Sequence, residues 1–87
     1  SEYKLYQNYP NPFNPITKIE YSLPENSFVE IKIYDIFGRE VETLINKKQT
    51  MGMYSLQWQP KNITSGIYFY RIKAGRYSET KKMVYIK

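Results

Sequence analysis

Eight carboxylates, thirteen lysines and arginines, ten tyrosines and no histidine or cysteine are the groups from which this 87-residue chain must build any chemistry. Without histidine it lacks the usual general base near neutral pH and the commonest metal ligand. Without cysteine it lacks a thiolate nucleophile, a zinc–sulfur site and any disulfide. Glu20, Glu30 and Glu42 alternate with apolar neighbours and are expected to face solvent, and Glu40 with Glu42 has no partner pattern for paired acid–base work. The glycines stand singly, so no loop is built to cradle a phosphate. An enzyme, a cofactor and a metal are therefore not expected. What remains is recognition chemistry, and it gathers at the two ends. Residues 1–70 balance seven positive against seven negative side chains, whereas residues 71–87 hold Arg71, Lys73, Arg76, Lys81, Lys82 and Lys87 against Glu79 alone. The whole net charge of +5 thus lies in the last segment.

The other end carries Gln7-Asn8-Tyr9-Pro10-Asn11-Pro12-Phe13-Asn14-Pro15. Its three prolines fix φ, push Tyr9, Asn11 and Asn14 toward extended backbone, and remove three N–H donors, so no regular ladder can run through it. The expectation is an ordered, irregular crossing over residues 7–15, with Phe13 anchored in the core and Asn11 and Asn14 bonding nearby backbone groups. Read on its own it is a stiff connection between two strands; its Pro12-Phe13-Asn14-Pro15 element is a weak match to a polyproline ligand.

The elements that must position these ends are strands. Period-two alternation puts Ile19, Tyr21 and Leu23 on one dry face, Val29, Ile31 and Ile33 on another, and Tyr54, Leu56 and Trp58 on a third. Turn signals separate them at Leu23-Pro24-Glu25-Asn26, at Asp35-Ile36-Phe37-Gly38 and around Gly52, Gly66 and Gly75. The reading gives about seven strands: Tyr3–Tyr6, Thr17–Leu23, Phe28–Tyr34, Val41–Ile45, Met53–Gln59, Gly66–Lys73 and Tyr77–Ile86. Short alternating strands at this spacing predict one all-β domain over residues 1–87, a sandwich of two antiparallel sheets. Arg39–Leu44 could also turn once as a helix; strand is the better fit. Ile67-Tyr68-Phe69-Tyr70 and Met83-Val84-Tyr85-Ile86 are apolar in both phases, as strands covered on two sides would be. For the first of these, Tyr68, Tyr70 and Ile72 are assigned to the core because Arg71 belongs to the opposite phase; for the last strand neither face is preferred.

No apolar run approaches the roughly 18–20 residues of a membrane-spanning helix, and no charged-then-apolar leader opens the chain. Beginning at Ser1 without Met, it reads as a soluble piece of a longer protein whose own N-terminus carries an export signal.

Five motifs now stand in order: Tyr9-Pro10-Asn11-Pro12-Phe13-Asn14; Tyr34-Asp35-Ile36-Phe37-Gly38-Arg39-Glu40-Val41; Gly52-Met53-Tyr54-Ser55-Leu56-Gln57-Trp58; Ser65-Gly66-Ile67-Tyr68-Phe69-Tyr70-Arg71-Ile72; and a basic, apolar ending, Lys81-Lys82-Met83-Val84-Tyr85-Ile86-Lys87. Together they cover practically the whole chain, and it resembles the type A C-terminal sorting domain of proteins exported by the type IX (Por) secretion system, a Gram-negative outer-membrane route. The resemblance implies an immunoglobulin-like sandwich, in agreement with the strand count. It implies a covalently linked N-terminal cargo that passes through the periplasm to the cell surface or the medium. It also implies two partners, an outer-membrane translocon and a sortase-like peptidase cutting upstream. Recognition would rest on Pro10, Asn11, Pro12, Phe13 and Asn14, on Gly66 and Tyr68, and on Lys81, Lys82 and Lys87. The chain departs from the pattern in placing Tyr85-Ile86 before the final lysine, where simpler apolar pairs are frequent. The Tyr-Asp-x-x-Gly-Arg and Gly-x-Tyr elements are also similar to the immunoglobulin-like module of flagellar hook-capping proteins.

Two other functions fit parts of the sequence. A carbohydrate- or cell-surface-binding module would use the tyrosines and Trp58 to stack on sugar rings; a coplanar row of three exposed aromatics would favour it, and scattered tyrosines would not. Nucleic-acid binding would use the basic end with Tyr77 and Tyr85, but a neutral first 70 residues gives no broad electrostatic footprint. The lysines also have a plain structural use, since charge blunts an edge strand against pairing with another chain.

Overall fold

The computed structural model describes residues 2–87. Seven strands are formed among the described residues: β1 (Lys4–Leu5), β2 (Thr17–Leu23), β3 (Ser27–Tyr34), β4 (Glu40–Gln49), β5 (Gly52–Trp58), β6 (Gly66–Ala74) and β7 (Tyr77–Tyr85). They make two antiparallel sheets, ordered β1-β2-β5 and β4-β3-β6-β7, with no helix among the described residues. This is the expected immunoglobulin-like sandwich. β2 and β3 lie in opposite sheets across the Pro24-Glu25-Asn26 crossing, and the chain changes sheet again between β4 and β5 and between β5 and β6.

Alternation explains which faces meet. Ile19, Tyr21 and Leu23 of β2 oppose Val29, Ile31 and Ile33 of β3 and Tyr68, Tyr70, Ile72 and Ala74 of β6, all buried. Leu5, Phe13, Trp58, Met83 and Tyr85 close the same core. Each such aliphatic side chain contributes about 1.5–3 kcal/mol on leaving water. Tyr68 makes the corner that this class of sandwich uses: near the start of β6, its hydroxyl donates back to the Thr64 carbonyl at 2.7 Å. Tyr54 repeats the geometry on Thr50, also at 2.7 Å.

Three expectations need correction. β4 runs from Glu40 to Gln49 and is twice as long as the alternation suggested, because the residues added beyond Ile45, Asn46-Lys47-Lys48-Gln49, are all polar and carry no apolar alternation. Two bulges, opposite Ile31/Lys32 and Ile33/Tyr34, also break its period. A bulge inserts an unpaired residue and shifts the phase; Val41 and Leu44 are the extra residues here, and both pack against the core. β6 and β7 are not covered on two sides. β7 is an edge strand, and Ile67, Phe69 and Val84 lie on an outer face with no third layer above it among the described residues. Glu42 is exposed, as expected, and from there it accepts the Nε1–H of Trp58 at 3.0 Å. The third correction concerns Asn11 and Asn14 and belongs to the site.

Candidate functional site

The lead-in segment, residues 7–15, is held from beneath by a buried polar knot. Asn8 donates its Nδ2 to Thr17 Oγ1 at 2.9 Å and to the Pro10 carbonyl at 3.2 Å, and Thr17 donates to that same carbonyl at 2.8 Å. The Asn8 amide donates to the Tyr70 hydroxyl at 2.7 Å, which in turn donates to the Tyr6 carbonyl at 2.8 Å. Burial, only partly offset by the Asn8 amide, pushes the Tyr70 phenol up to about 12, so it is a neutral donor throughout the physiological range. Phe13 turns inward, 5.2 Å from the ring of Tyr85 and 5.9 Å from Trp58. The three X–Pro bonds, at Pro10, Pro12 and Pro15, are cis.

Asn11 and Asn14 do not bond locally. Asn11 Oδ1 accepts the Val84 amide at 2.9 Å, and Asn14 Nδ2 donates to the Ile86 carbonyl. Between them the Phe13 amide donates to the Val84 carbonyl at 3.0 Å, and the Phe13 carbonyl accepts the Ile86 amide at 3.1 Å, a one-residue parallel bridge. Gln7 Nε2 adds a bond to the Lys82 carbonyl at 2.7 Å. The outward backbone groups from the Lys82 carbonyl in β7 to the Ile86 carbonyl just beyond it are thereby satisfied by the lead-in segment. The physical reason is that an edge strand offers unpaired N–H and C=O groups, and extended asparagines lying alongside reach them before any local group can. Pro12 and Pro15, without N–H groups, prevent the ladder from continuing outward.

The ten residues singled out from the sequence thus divide. Pro10, Asn11, Pro12 and Asn14 are exposed and lie beside the last strand; Lys82 and Lys87 are exposed next to them. Phe13, 2% exposed, and Tyr68, 6% exposed, are supports beneath the surface. Gly66 opens β6 opposite Tyr85 with φ at 150°, a conformation that side-chain-bearing residues rarely adopt. Lys81 is drawn apart from its neighbour. It lies on the inward phase of β7, paired with Glu79 at 3.2 Å, and the Tyr77 hydroxyl donates to that same carboxylate. This donation, opposed by desolvation and joined by Lys81, holds Glu79 below the ordinary carboxylate range. Lys82 and Lys87 have no carboxylate within ion-pairing distance among the described residues.

Gln7, Asn8, Thr17 and Tyr70 were missed as parts of this arrangement. Thr17 carried a signal, since it stands in phase with Ile19, Tyr21 and Leu23, and a hydroxyl on a dry face requires a partner. The most exposed aromatics, Tyr9, Phe28 and Phe37, sit respectively in the lead-in segment, at the start of β3 and in the β3–β4 turn, and do not form a row for sugar stacking. Trp58 is buried.

No curated protein and no solved structure matches this chain. The family of secretion system C-terminal sorting domains, Por_Secre_tail, matches residues 7–87, from the first residue of the lead-in segment through β7 to the last lysine. The chain belongs to that family, and it is a C-terminal sorting signal for type IX secretion.

Proposed function

We propose that residues 1–87 are one folded address, carried behind an N-terminal cargo and read at the outer membrane by the type IX translocon, with a sortase-like peptidase cutting upstream. The cargo passes through the periplasm and ends at the cell surface or outside the cell. The surface that is read is composite: Pro10, Asn11, Pro12 and Asn14 together with Lys82 and Lys87, supported by Phe13, Gly66 and Tyr68. One observation supports this above the rest. Two segments about 70 residues apart in sequence are tied edge to edge by backbone and asparagine hydrogen bonds, so a receptor meets them as a single feature only when the domain is folded. The family is one of sorting signals rather than catalysts. The likeness to the hook-capping module concerns the sandwich that supports the address.

The test is a periplasmic reporter fused ahead of residues 1–87 in a type IX-competent host. The reporter is expected in the medium or on the surface, and Asn11→Ala/Asn14→Ala is expected to leave most of it in the periplasm. Retention of the unmutated fusion, in cells that export their own cargo normally, would overturn the reading.

A further inference from the structure

We propose that the outer face of the four-stranded sheet is a docking surface for an extended acidic segment of the export machinery, with one of its carboxylates held by Arg71; this rests on the sorting function above. Arg71 sits mid-strand on β6, opposite Lys32 of β3 and Thr80 of β7. Its guanidinium lies over the Tyr34 ring, 4.9 Å from the centroid. Its ionic contact is Nη2 to Glu30 at 3.8 Å, near the limit of an ion pair. Its Nε is buried and has no hydrogen-bond partner among the described residues. The side chain as a whole is 31% exposed, so its reachable edge is the pair of terminal Nη groups, and a carboxylate accepting from both side by side is the group that fits it.

The residues around it do not supply that carboxylate. Glu40 is taken by Lys32 at 3.0 Å and by Thr43, and Glu30 is shared with Lys32 at 3.8 Å. Asp35 is engaged by the Phe37 and Arg39 amides and by Arg39 Nε. A shallow groove bordered by Tyr34, Phe69 and Thr80 opens beside Arg71. Lys82 stands opposite Phe69, and Lys73 opposite Ser78. The face carries Lys32, Lys48, Arg71, Lys73 and Lys82 against Glu30 and Glu40, so the charge balance favours an acidic visitor. An extended segment turns every second side chain to the same side, so acidic residues at alternate positions would set a row of carboxylates against these cations. The two glutamates set among the cations count against the other anionic candidate, a lipid surface, whose uniform charge would repel them.

The test is NMR on the ¹⁵N-labelled 87-residue domain, reading the Nε–H resonances of its three arginines, Arg39, Arg71 and Arg76. The probe is the peptide Glu-Phe-Glu-Phe-Glu, with Gln-Phe-Gln-Phe-Gln as control. The acidic peptide is expected to move Arg71 saturably and to leave Arg39 and Arg76 in place. Arg71→Lys, which keeps the charge and loses the fork, is expected to bind roughly tenfold more weakly with an unchanged backbone spectrum. An unmoved Arg71, equal movement of all three arginines, or a response to anionic vesicles but not to the peptide would overturn the proposal. In the reporter assay, Arg71→Lys exported as well as the unmutated fusion would overturn it while leaving the sorting reading intact; failure of the unmutated fusion would instead strike the sorting reading.

Discussion

At the residue scale, Tyr70 shows how much of the arrangement hangs on one buried hydroxyl. It accepts from Asn8 beneath the lead-in segment and donates to Tyr6 at the end of β1, so it joins both to β6. Phenylalanine would keep the ring and leave a buried amide and a partly buried carbonyl unpaired. Tyr70→Phe is therefore expected to lower stability at pH 7 by about 1–3 kcal/mol in urea unfolding. The titration has a definite sign. Desolvation raises the folded phenol from 10.0 to about 12, so the folded state holds its proton where the unfolded chain releases it. The contribution is complete below pH 10 and is lost as pH rises through 12. Unfolding free energy should stay level on the alkaline side until pH 10 and then fall, less steeply in Tyr70→Phe. An identical slope in the variant would transfer the effect to another phenol, first of all Tyr77, which is raised by burial and by the neighbouring Glu79 carboxylate.

At the element scale, the decisive relation is between the lead-in segment and the edge of β7. Asn11→Ala removes the acceptor of the Val84 amide while the Phe13 bridge remains. In hydrogen exchange, Val84 is expected to lose about tenfold in protection, with the β3 amides unchanged, corresponding to roughly 1 kcal/mol for one hydrogen bond. General loss of protection across β3 and β6 would mean that Asn11 supports the whole fold. The same contrast shows what was legible beforehand. The dry faces of β2 and β3 could be read directly, because Ile19, Tyr21, Leu23, Val29, Ile31 and Ile33 alternate without interruption and a half-buried sheet requires that period. β4 was read short because Asn46-Lys47-Lys48-Gln49 are all polar and show no apolar alternation. The partners of Asn11 and Asn14 could not be read at all: an amide side chain satisfies any donor or acceptor within reach, and which one comes within reach is set by a strand more than 70 residues downstream. Doubly apolar strands proved ambiguous too, since Ile67 and Val84 are as compatible with an open face awaiting a partner as with burial under a second layer.

At the scale of the whole molecule, the placement of charge carries more information than its total. The basic end looked like one cluster in sequence, yet strand geometry separates adjacent lysines to opposite faces: Lys81 pairs with Glu79 on the inward phase, whereas Lys82 and Lys87 stand free next to the proline-rich surface. An exposed charge steers a partner only within about 8–10 Å at physiological salt, so a cation already matched by a carboxylate adds little to the field a receptor meets. Neutralising Lys82 and Lys87 together by glutamine should therefore reduce reporter export severely, and Lys81→Gln should leave export near normal. Neither change should greatly alter stability, because exposed ion pairs contribute about 0–1 kcal/mol. The measurement is secreted against periplasmic reporter for each variant, with thermal unfolding of the isolated domain to confirm that all remain folded. Equal loss from Lys81→Gln and from the double variant would mean that the machinery reads the amount of charge at the C-terminus, and an extended tail would then serve it as well as this folded sandwich does. Loss from the double variant alone would mean that it reads a shape, in which β7 supplies the cations and the lead-in segment fixes the edge they stand on.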